Sequence, residues 1–255
     1  MTSKYISNHV LIELLEKATE EERLSLTKIL NEYHKKPHSP KELQDRMCRE
    51  GGNFFKNMYR GEGTSYLDIV DDVLNKLEIE GFPSYFLEVS NFDEISSIRD
   101  DAVKLREKGV DYAEQAEEKI ILKILEQVYE GMSGKEKATF DKQMNDVAVI
   151  YDSNTAKNLS GATGLMVLGN LGGFATYTFL TSIMSTLSLG ALGFGAYTAA
   201  TSLLSLMLGP VGWMGLSAFA MYKMGGGDYQ KLIPCVAIIG AIRQRVKYDD
   251  CHIHT

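Results

Sequence analysis

The sequence contains little cysteine and has an excess of negative charge. Only 3 of its 255 residues are cysteine, which is too few for a framework of disulfide bonds. Lysine and arginine number 27 against 34 aspartate and glutamate residues, so the formal net charge is −7. Nucleic-acid binding depends on neutralising phosphates, and this balance therefore predicts no nucleic-acid partner.

The sequence also lacks the short motifs of common catalytic sites. It contains no HExxH, no GxSxG and no CxxC pair. Two groups of side chains could hold a divalent cation: Cys251, His252 and His254, and Asp68, Asp71 and Asp72. A terminal tail and a solvated helix face are the simpler interpretations of these groups. We therefore predict a non-enzymatic protein with no metal and no cofactor.

Charged residues are missing from one long stretch. Residues 158–222, a run of 65, contain no Asp, Glu, Lys or Arg, and 15 of the 23 glycines follow residue 157. Residues 1–157, in contrast, hold 22 basic and 31 acidic groups. The chain therefore divides into a short N-terminal helical module (1–35), an acidic helical domain (36–157) and an apolar, glycine-rich helical region with a basic C-terminal helix (158–255).

The acidic part shows the signals of helices and none of strands. Thr19 and Glu22 form a capping-box pattern, and Ser39-Pro-Lys-Glu42, Ser65 to Asp68 and Ser133-Gly-Lys-Glu136 predict three further helix starts. Gly51-Gly52 and Gly81-Phe-Pro83 predict the ends of the second and third of these helices. Further helices are predicted over about 100–132, with Gly109 as a point of interruption, over 135–150, and over 229–246 around Pro234. The long helix has an apolar stripe: Ile120, Ile121, Ile124, Leu125 and Val128. The predicted fold is an all-α multi-helix bundle.

The uncharged run has two interpretations. It is long enough for a membrane hairpin with arms at 165–187 and 189–208, since two passes need about 40 apolar residues. Residues that favour close helix approach or an interfacial position are Gly169, Gly173, Ala191, Gly195, Ala199 and Trp213. Glycine, serine and threonine supply 25 of the 65 residues, which favours conditional insertion over a permanent anchor. The alternative is the buried centre of a soluble bundle; we favour lipid contact because uncharged runs of this length are uncommon in soluble cores.

An unusual segment lies between glycines at 51–52 and 61–63. It combines aromatic and basic side chains: Phe54, Phe55, Lys56, Tyr59 and Arg60. One interpretation is a recognition element for a protein partner or an anionic group. The simpler interpretation, which we favour, is a short amphipathic helix that packs Phe54, Phe55 and Met58 into the core.

Three stretches resemble a known family. They are Ser7-Asn-His-Val-Leu-Ile-Glu-Leu-Leu with Glu20-Glu-Glu-Arg-Leu, the segment 51–63 with Tyr66-Leu-Asp-Ile-Val-Asp-Asp-Val, and Gly209-Pro-Val-Gly-Trp to Tyr229-Gln-Lys-Leu-Ile-Pro-Cys-Val-Ala-Ile-Ile. Together they resemble the YaaW family of uncharacterised bacterial proteins and, more distantly, the ubiquinol–cytochrome c chaperone domain. The chain departs from that pattern in its longer uncharged stretch and at Lys231 and Leu232. The resemblance implies an all-α fold and a bacterial cytoplasmic origin, and it supplies no catalytic residues.

These observations favour a bacterial protein that associates with membrane lipid on the cytoplasmic face of the inner membrane. The uncharged hairpin would make that contact, and the acidic helices would bind an unknown protein partner. The alternative is a soluble, cytoplasmic, chaperone-like or assembly-factor protein whose uncharged run is a buried core.

Overall fold

The computed structural model describes residues 2–30, 36–51, 64–82, 98–131, 134–151, 161, 164 and 227–253. Within these ranges the chain forms seven α-helices and no strand. They are α1 (Thr2–Lys17), α2 (Glu20–Leu30), α3 (Pro40–Glu50), α4 (Tyr66–Lys76), α5 (Ile98–Gly131), α6 (Gly134–Tyr151) and α7 (Gly227–Ile253). The all-α prediction is confirmed, whereas the predicted glycine-rich hairpin lies outside the described residues.

Capping boxes begin three of the predicted helices, whereas Ser133, the predicted cap of a fourth, lies outside the described residues. In the first, the Glu22 backbone N–H donates to Thr19 Oγ1 at 3.2 Å, and the Thr19 N–H donates to Glu22 Oε2 at 2.7 Å. Ser39 and Glu42 form the same reciprocal pair at α3, where Pro40 occupies the first turn. Ser65 and Asp68 do so at α4. These starts are set by residues three apart, so the local sequence was sufficient to locate them.

The helix ends are less regular than their starts. As predicted, α3 ends at Gly51. Helix α4 turns at Glu78, ahead of the Gly81 that the sequence indicated, and Glu78 has a positive φ of 55°. The Glu78 N–H donates to the Asn75 carbonyl at 3.2 Å, and the Ile79 N–H donates to the Leu74 carbonyl at 3.1 Å. This is the Schellman pattern, with a glutamate where glycine is usual.

The two longest helices exceed their predicted lengths. Helix α5 continues through Gly109 without interruption. The predicted stripe is buried at Ile120, Ile121, Ile124 and Leu125; the side chain of the fifth member, Val128, is outside the described set. Helix α7 begins two residues before its predicted start, extends to Ile253 and contains Pro234.

Helix α7 lies in the centre of the bundle. It contacts α1, α2, α3, α4 and α5, and its residues 232–245 are all buried. Gly240 lies against Ile121 of α5 and Lys247 against Glu114, so the two helices run antiparallel. The buried apolar residues of all seven helices form one core. The three-part division of the chain stays a prediction, but the described helices of each part contribute to that core.

None of the helices within the described ranges combines the length and apolar character required to cross a bilayer.

Candidate functional site

Two arginines near the end of α7 are buried. The side chains of Arg243 and Arg245 are 8% and 9% exposed. They follow 11 residues, 232–242, that contain no charged or hydrophilic side chain. An isolated buried charge is very unfavourable, so each guanidinium needs a carboxylate partner. We call Arg243, Arg245 and the groups that bind them the arginine cluster.

Arg243 forms a bidentate ion pair with Glu117 of α5. Arg243 Nε donates to Glu117 Oε2 at 2.7 Å, and one terminal nitrogen donates to Oε1 at 2.9 Å. The hydroxyl of Tyr66, the first residue of α4, donates to the same Oε1 at 2.5 Å. One carboxylate therefore joins three helices, and both of its oxygens accept charge-assisted hydrogen bonds.

The electrostatics of this group follow from its burial. Burial and the adjacent Glu117 charge raise the pKa of Tyr66 well above its usual value, so its hydroxyl keeps its proton and remains a donor. Burial opposes the positive charge on Arg243, but the charge of Glu117 and its hydrogen bonds outweigh that effect, and the net result raises the guanidinium pKa. Arg243 therefore remains charged.

Arg245 connects α7 to the junction between α1 and α2. Its Nε donates to Glu22 Oε1 at 2.8 Å, and a terminal nitrogen donates to Glu22 Oε2 at 2.9 Å. The same nitrogen donates to the Lys17 carbonyl at the end of α1 at 3.0 Å. The remaining nitrogen donates to Asp249 at 3.0 Å. Glu22 thus serves both the cap of α2 and an arginine more than 200 residues away in the chain.

A glycine allows α5 and α7 to approach closely beside Glu117. A methyl group at Gly240 would lie 2.9 Å from Glu117 Cβ and 3.1 Å from the Cδ1 of Ile121. The contact is with the inner part of the glutamate side chain, which cannot move away without moving its backbone. Gly240 and Arg243, about one turn apart on the same face of α7, therefore contact the inner part and the carboxylate of Glu117, respectively.

The outer cations of α7 are paired as well. Lys231 Nζ lies 2.9 Å from Glu50 Oε1, and Lys247 contacts Glu114. The basic residues of this C-terminal helix include Arg243, Arg245 and Lys247, a composition that would also suit an anionic lipid surface. In the folded bundle, however, the two arginines bind carboxylates of the protein and are not available to lipid headgroups.

The acidic residues of α4 have structural roles. Asp68 is the capping carboxylate for Ser65. Asp71 is buried and accepts a hydrogen bond from the hydroxyl of Tyr112. The expectation of a solvated face is therefore wrong for Asp71, because α5 covers it. Within the described ranges no group of three or more His, Cys, Asp or Glu side chains is arranged to hold a metal ion.

A second contact fixes the chain where the uncharged run begins. The Gly161 N–H donates to Asp141 Oδ1 of α6 at 3.2 Å, and the Tyr129 hydroxyl of α5 donates to Asp141 Oδ2 at 3.2 Å. Gly161 has a φ of 56°, and a methyl group there would lie 3.3 Å from the Tyr129 ring. Glycine is thus required for both its backbone conformation and its space.

The residues of the predicted partner-binding segment and of the predicted membrane hairpin lie outside the described ranges. These are Phe54, Phe55, Lys56, Tyr59 and Arg60, and Gly169, Gly173, Ala191, Gly195, Ala199 and Trp213. The described flanks of the first group lie close together, since the Thr64 N–H donates to the Cys48 carbonyl at 3.1 Å. Both predicted sites remain predictions.

The arginine cluster is the feature that sequence reasoning missed. One signal was available. Residues 232–242 would be apolar on every face of a helix, and such a helix is buried in a core or in a membrane. An arginine that directly follows it then needs a partner inside the protein or a position at a surface. The identity of that partner was not available from local spacing.

The chain has a distant relative among known proteins. It is 24% identical over 231 residues to the UPF0174 protein of Helicobacter pylori (strain J99 / ATCC 700824), and the match covers 89% of this chain and 98% of that protein. No family model and no solved structure matches the chain. The chain is therefore similar, over nearly its whole length, to a protein from an uncharacterised family.

Proposed function

We propose that this is a non-enzymatic bacterial protein that associates with the cytoplasmic face of the inner membrane through residues 158–222. The observation that supports it most is the position of α7. This helix follows the uncharged run, yet it is the central helix of the bundle built by the helices before the run. The helices on both sides of the run therefore belong to one folded unit, which suits a hairpin.

The composition of the run supports lipid contact. Its 65 uncharged residues exceed the roughly 40 needed for two passes, and Lys157 and Lys223 flank it. Lysines at both ends suit a hairpin whose ends face the cytoplasm. The two arginines of α7 already pair with Glu117 and Glu22. We therefore assign the contact with the lipid headgroups to the flanking lysines. The many glycine, serine and threonine residues favour conditional insertion.

The proposal includes a partner-binding role for the segment around Phe54, Phe55, Lys56, Tyr59 and Arg60. This role is supported by the position of the segment in the fold. Glu50, two residues before Gly52, pairs with Lys231 in the second turn of α7. The segment therefore starts close to the point where the chain returns from the uncharged run. A protein partner or an anionic group bound there would lie beside the membrane contact.

The family assignment is part of the proposal. Similarity to the UPF0174 protein over 231 residues supports an uncharacterised family, and a span of that length includes residues 158–222. The three stretches quoted above support the narrower assignment to YaaW-like proteins.

Fractionation of the full-length protein tests the membrane proposal. Cell membranes are collected without detergent and extracted with alkaline carbonate, which releases peripheral proteins. We expect the protein in the pellet after extraction. A matched variant, in which a glycine–serine linker replaces residues 158–222, is expected in the soluble fraction with a helical circular dichroism spectrum.

The opposite result supports the second candidate, a soluble chaperone-like protein. In that case the full-length protein is soluble and monodisperse, and the linker variant loses its helical signal because its core is incomplete. A linker variant that stays in the membrane pellet would contradict the role assigned to residues 158–222.

A further inference from the structure

We infer that α7 remains docked in the bundle when the protein is on the membrane, so that the chain enters and leaves the bilayer on one side and both termini lie on that side. This inference rests on the proposed membrane association. It adds the position of α7 and of both chain termini, which neither the composition nor the length of the uncharged run determines.

The helix that follows the run, α7, is held by the arginine cluster and, near its start, by the pair between Lys231 and Glu50. Arg243 and Arg245 bind Glu117 and Glu22, carboxylates that precede the run in sequence. An odd number of crossings would place α7 on the opposite side from α2 and α5. Two arginines would then cross the hydrocarbon core, and two buried carboxylates would lose their partners. Both consequences are strongly unfavourable.

The upstream end is held by α5 and α6. Gly161 binds Asp141, which also accepts the Tyr129 hydroxyl. Tyr129 lies near the end of α5, and α5 runs antiparallel to α7, so the end of α5 and the start of α7 lie at the same end of the bundle. The chain therefore leaves and returns at one end of one body. An even number of crossings satisfies both attachments.

Protease protection of the full-length protein with short epitope tags at both termini tests the topology. We expect both tags to be digested in inverted inner-membrane vesicles and both to be protected in intact spheroplasts. Tags with opposite accessibility would overturn the inference while leaving membrane association intact. A protein that is absent from the vesicles would refute the proposed function, and the inference with it.

Cys235 supplies a second readout in the same vesicles. It lies in α7, is fully buried, and burial raises its thiol pKa. In the membrane-bound protein we expect N-ethylmaleimide to label the Cys235 peptide at least about 100-fold more slowly than in SDS-unfolded protein. The matched control is the double variant R243E/R245E, in which a carboxylate faces a carboxylate at both pairs. Its Cys235 should be labelled rapidly. The inference would also be overturned if both tags lay on one side but Cys235 of the unaltered protein were labelled rapidly. Rapid labelling would mean that α7 is not docked in the bundle.

Discussion

Replacing Arg243 with methionine removes the cation of the most deeply buried ion pair but keeps much of its apolar volume. Glu117, whose side chain is 1% exposed, then loses two of its three hydrogen bonds and its only cation in the cluster. Removing one member of a buried pair costs about 3–5 kcal/mol, because the remaining charge is buried without compensation. A domain is typically stable by only about 5–15 kcal/mol, so a large share of the stability would be lost.

The same reasoning predicts recovery when the whole group becomes apolar. In the triple variant R243M/E117L/Y66F no charge and no hydroxyl remains buried at this position. Replacing a complete buried pair by apolar residues is neutral or stabilising by about 1–4 kcal/mol. Tyr66 must be included, since its hydroxyl would otherwise lose its acceptor at a cost of about 1–3 kcal/mol.

Urea unfolding of the full-length protein, followed by circular dichroism in buffer with a mild non-ionic detergent, measures these differences. The control is K247M, which breaks the pair with Glu114 in which the lysine is 60% exposed. Such exposed pairs contribute about 0–1 kcal/mol. If R243M costs no more than K247M, the Arg243–Glu117 pair is not desolvated and the central position of α7 is refuted.

Three further substitutions test local features of the bundle by the same unfolding assay. Glu78→Gly should stabilise the protein by up to about 1 kcal/mol, because glycine adopts the positive φ without strain; a destabilised variant would contradict the Schellman assignment. Gly240→Ala should destabilise by about 1–3 kcal/mol through its contact with Glu117, whereas Gly134→Ala, which has open space, should be close to neutral; equal effects would contradict close packing at Gly240. Burial raises the pKa of Glu118, so its ionised form opposes folding and stability falls as pH rises through that titration. Glu118→Gln should therefore stabilise slightly at pH 7, by less than about 1 kcal/mol since the side chain is partly exposed, and the gain should vanish near pH 4. A gain that is equal at both pH values would show that ionisation of Glu118 is not its cause.

The parts of the fold that follow from short spacings could be predicted from the sequence. The capping boxes at Thr19, Ser39 and Ser65 depend on groups three residues apart, and each begins a helix in the structure. The buried stripe of α5 follows from its helical period. The end of α4 could not be predicted in this way, because Glu78 has no intrinsic preference for the conformation it adopts.

The candidate site could not be predicted because its contacts are distant in sequence. Arg243 and Glu117 are 126 residues apart, and Arg245 and Glu22 are 223 apart. The apolar stretch 232–242 indicates that the arginines after it need a partner, and the spacing from Thr19 identifies Glu22 as a capping carboxylate, but no sequence pattern connects either arginine to its glutamate. Their pairing becomes visible only after α7 has been placed inside the bundle.

The spacing of the two arginines determines how α7 fits. An apolar helix such as residues 232–242 can slide by one turn without exposing a polar group, so apolar packing alone defines its position weakly. Residues two apart on a helix point about 200° from one another. Arg243 therefore reaches Glu117 of α5 on one side while Arg245 reaches Glu22 of α2 on the other. Both pairs are satisfied at only one rotation and one axial position of the helix.

Because of this geometry, the stability of the bundle and the uniqueness of its structure depend on different groups. Variants that lack both pairs, such as R243M/E117L/Y66F combined with R245M/E22L, should retain compactness but lose the groups that define the register of α7. In a two-dimensional amide NMR spectrum we expect more than one signal for residues of α7, reporting alternative positions. The triple variant alone, which keeps the Arg245–Glu22 pair, is the control and should give single signals. Single signals from both variants would show that the shapes of the apolar side chains, including the close approach of Gly240 to Ile121, are sufficient to fix α7.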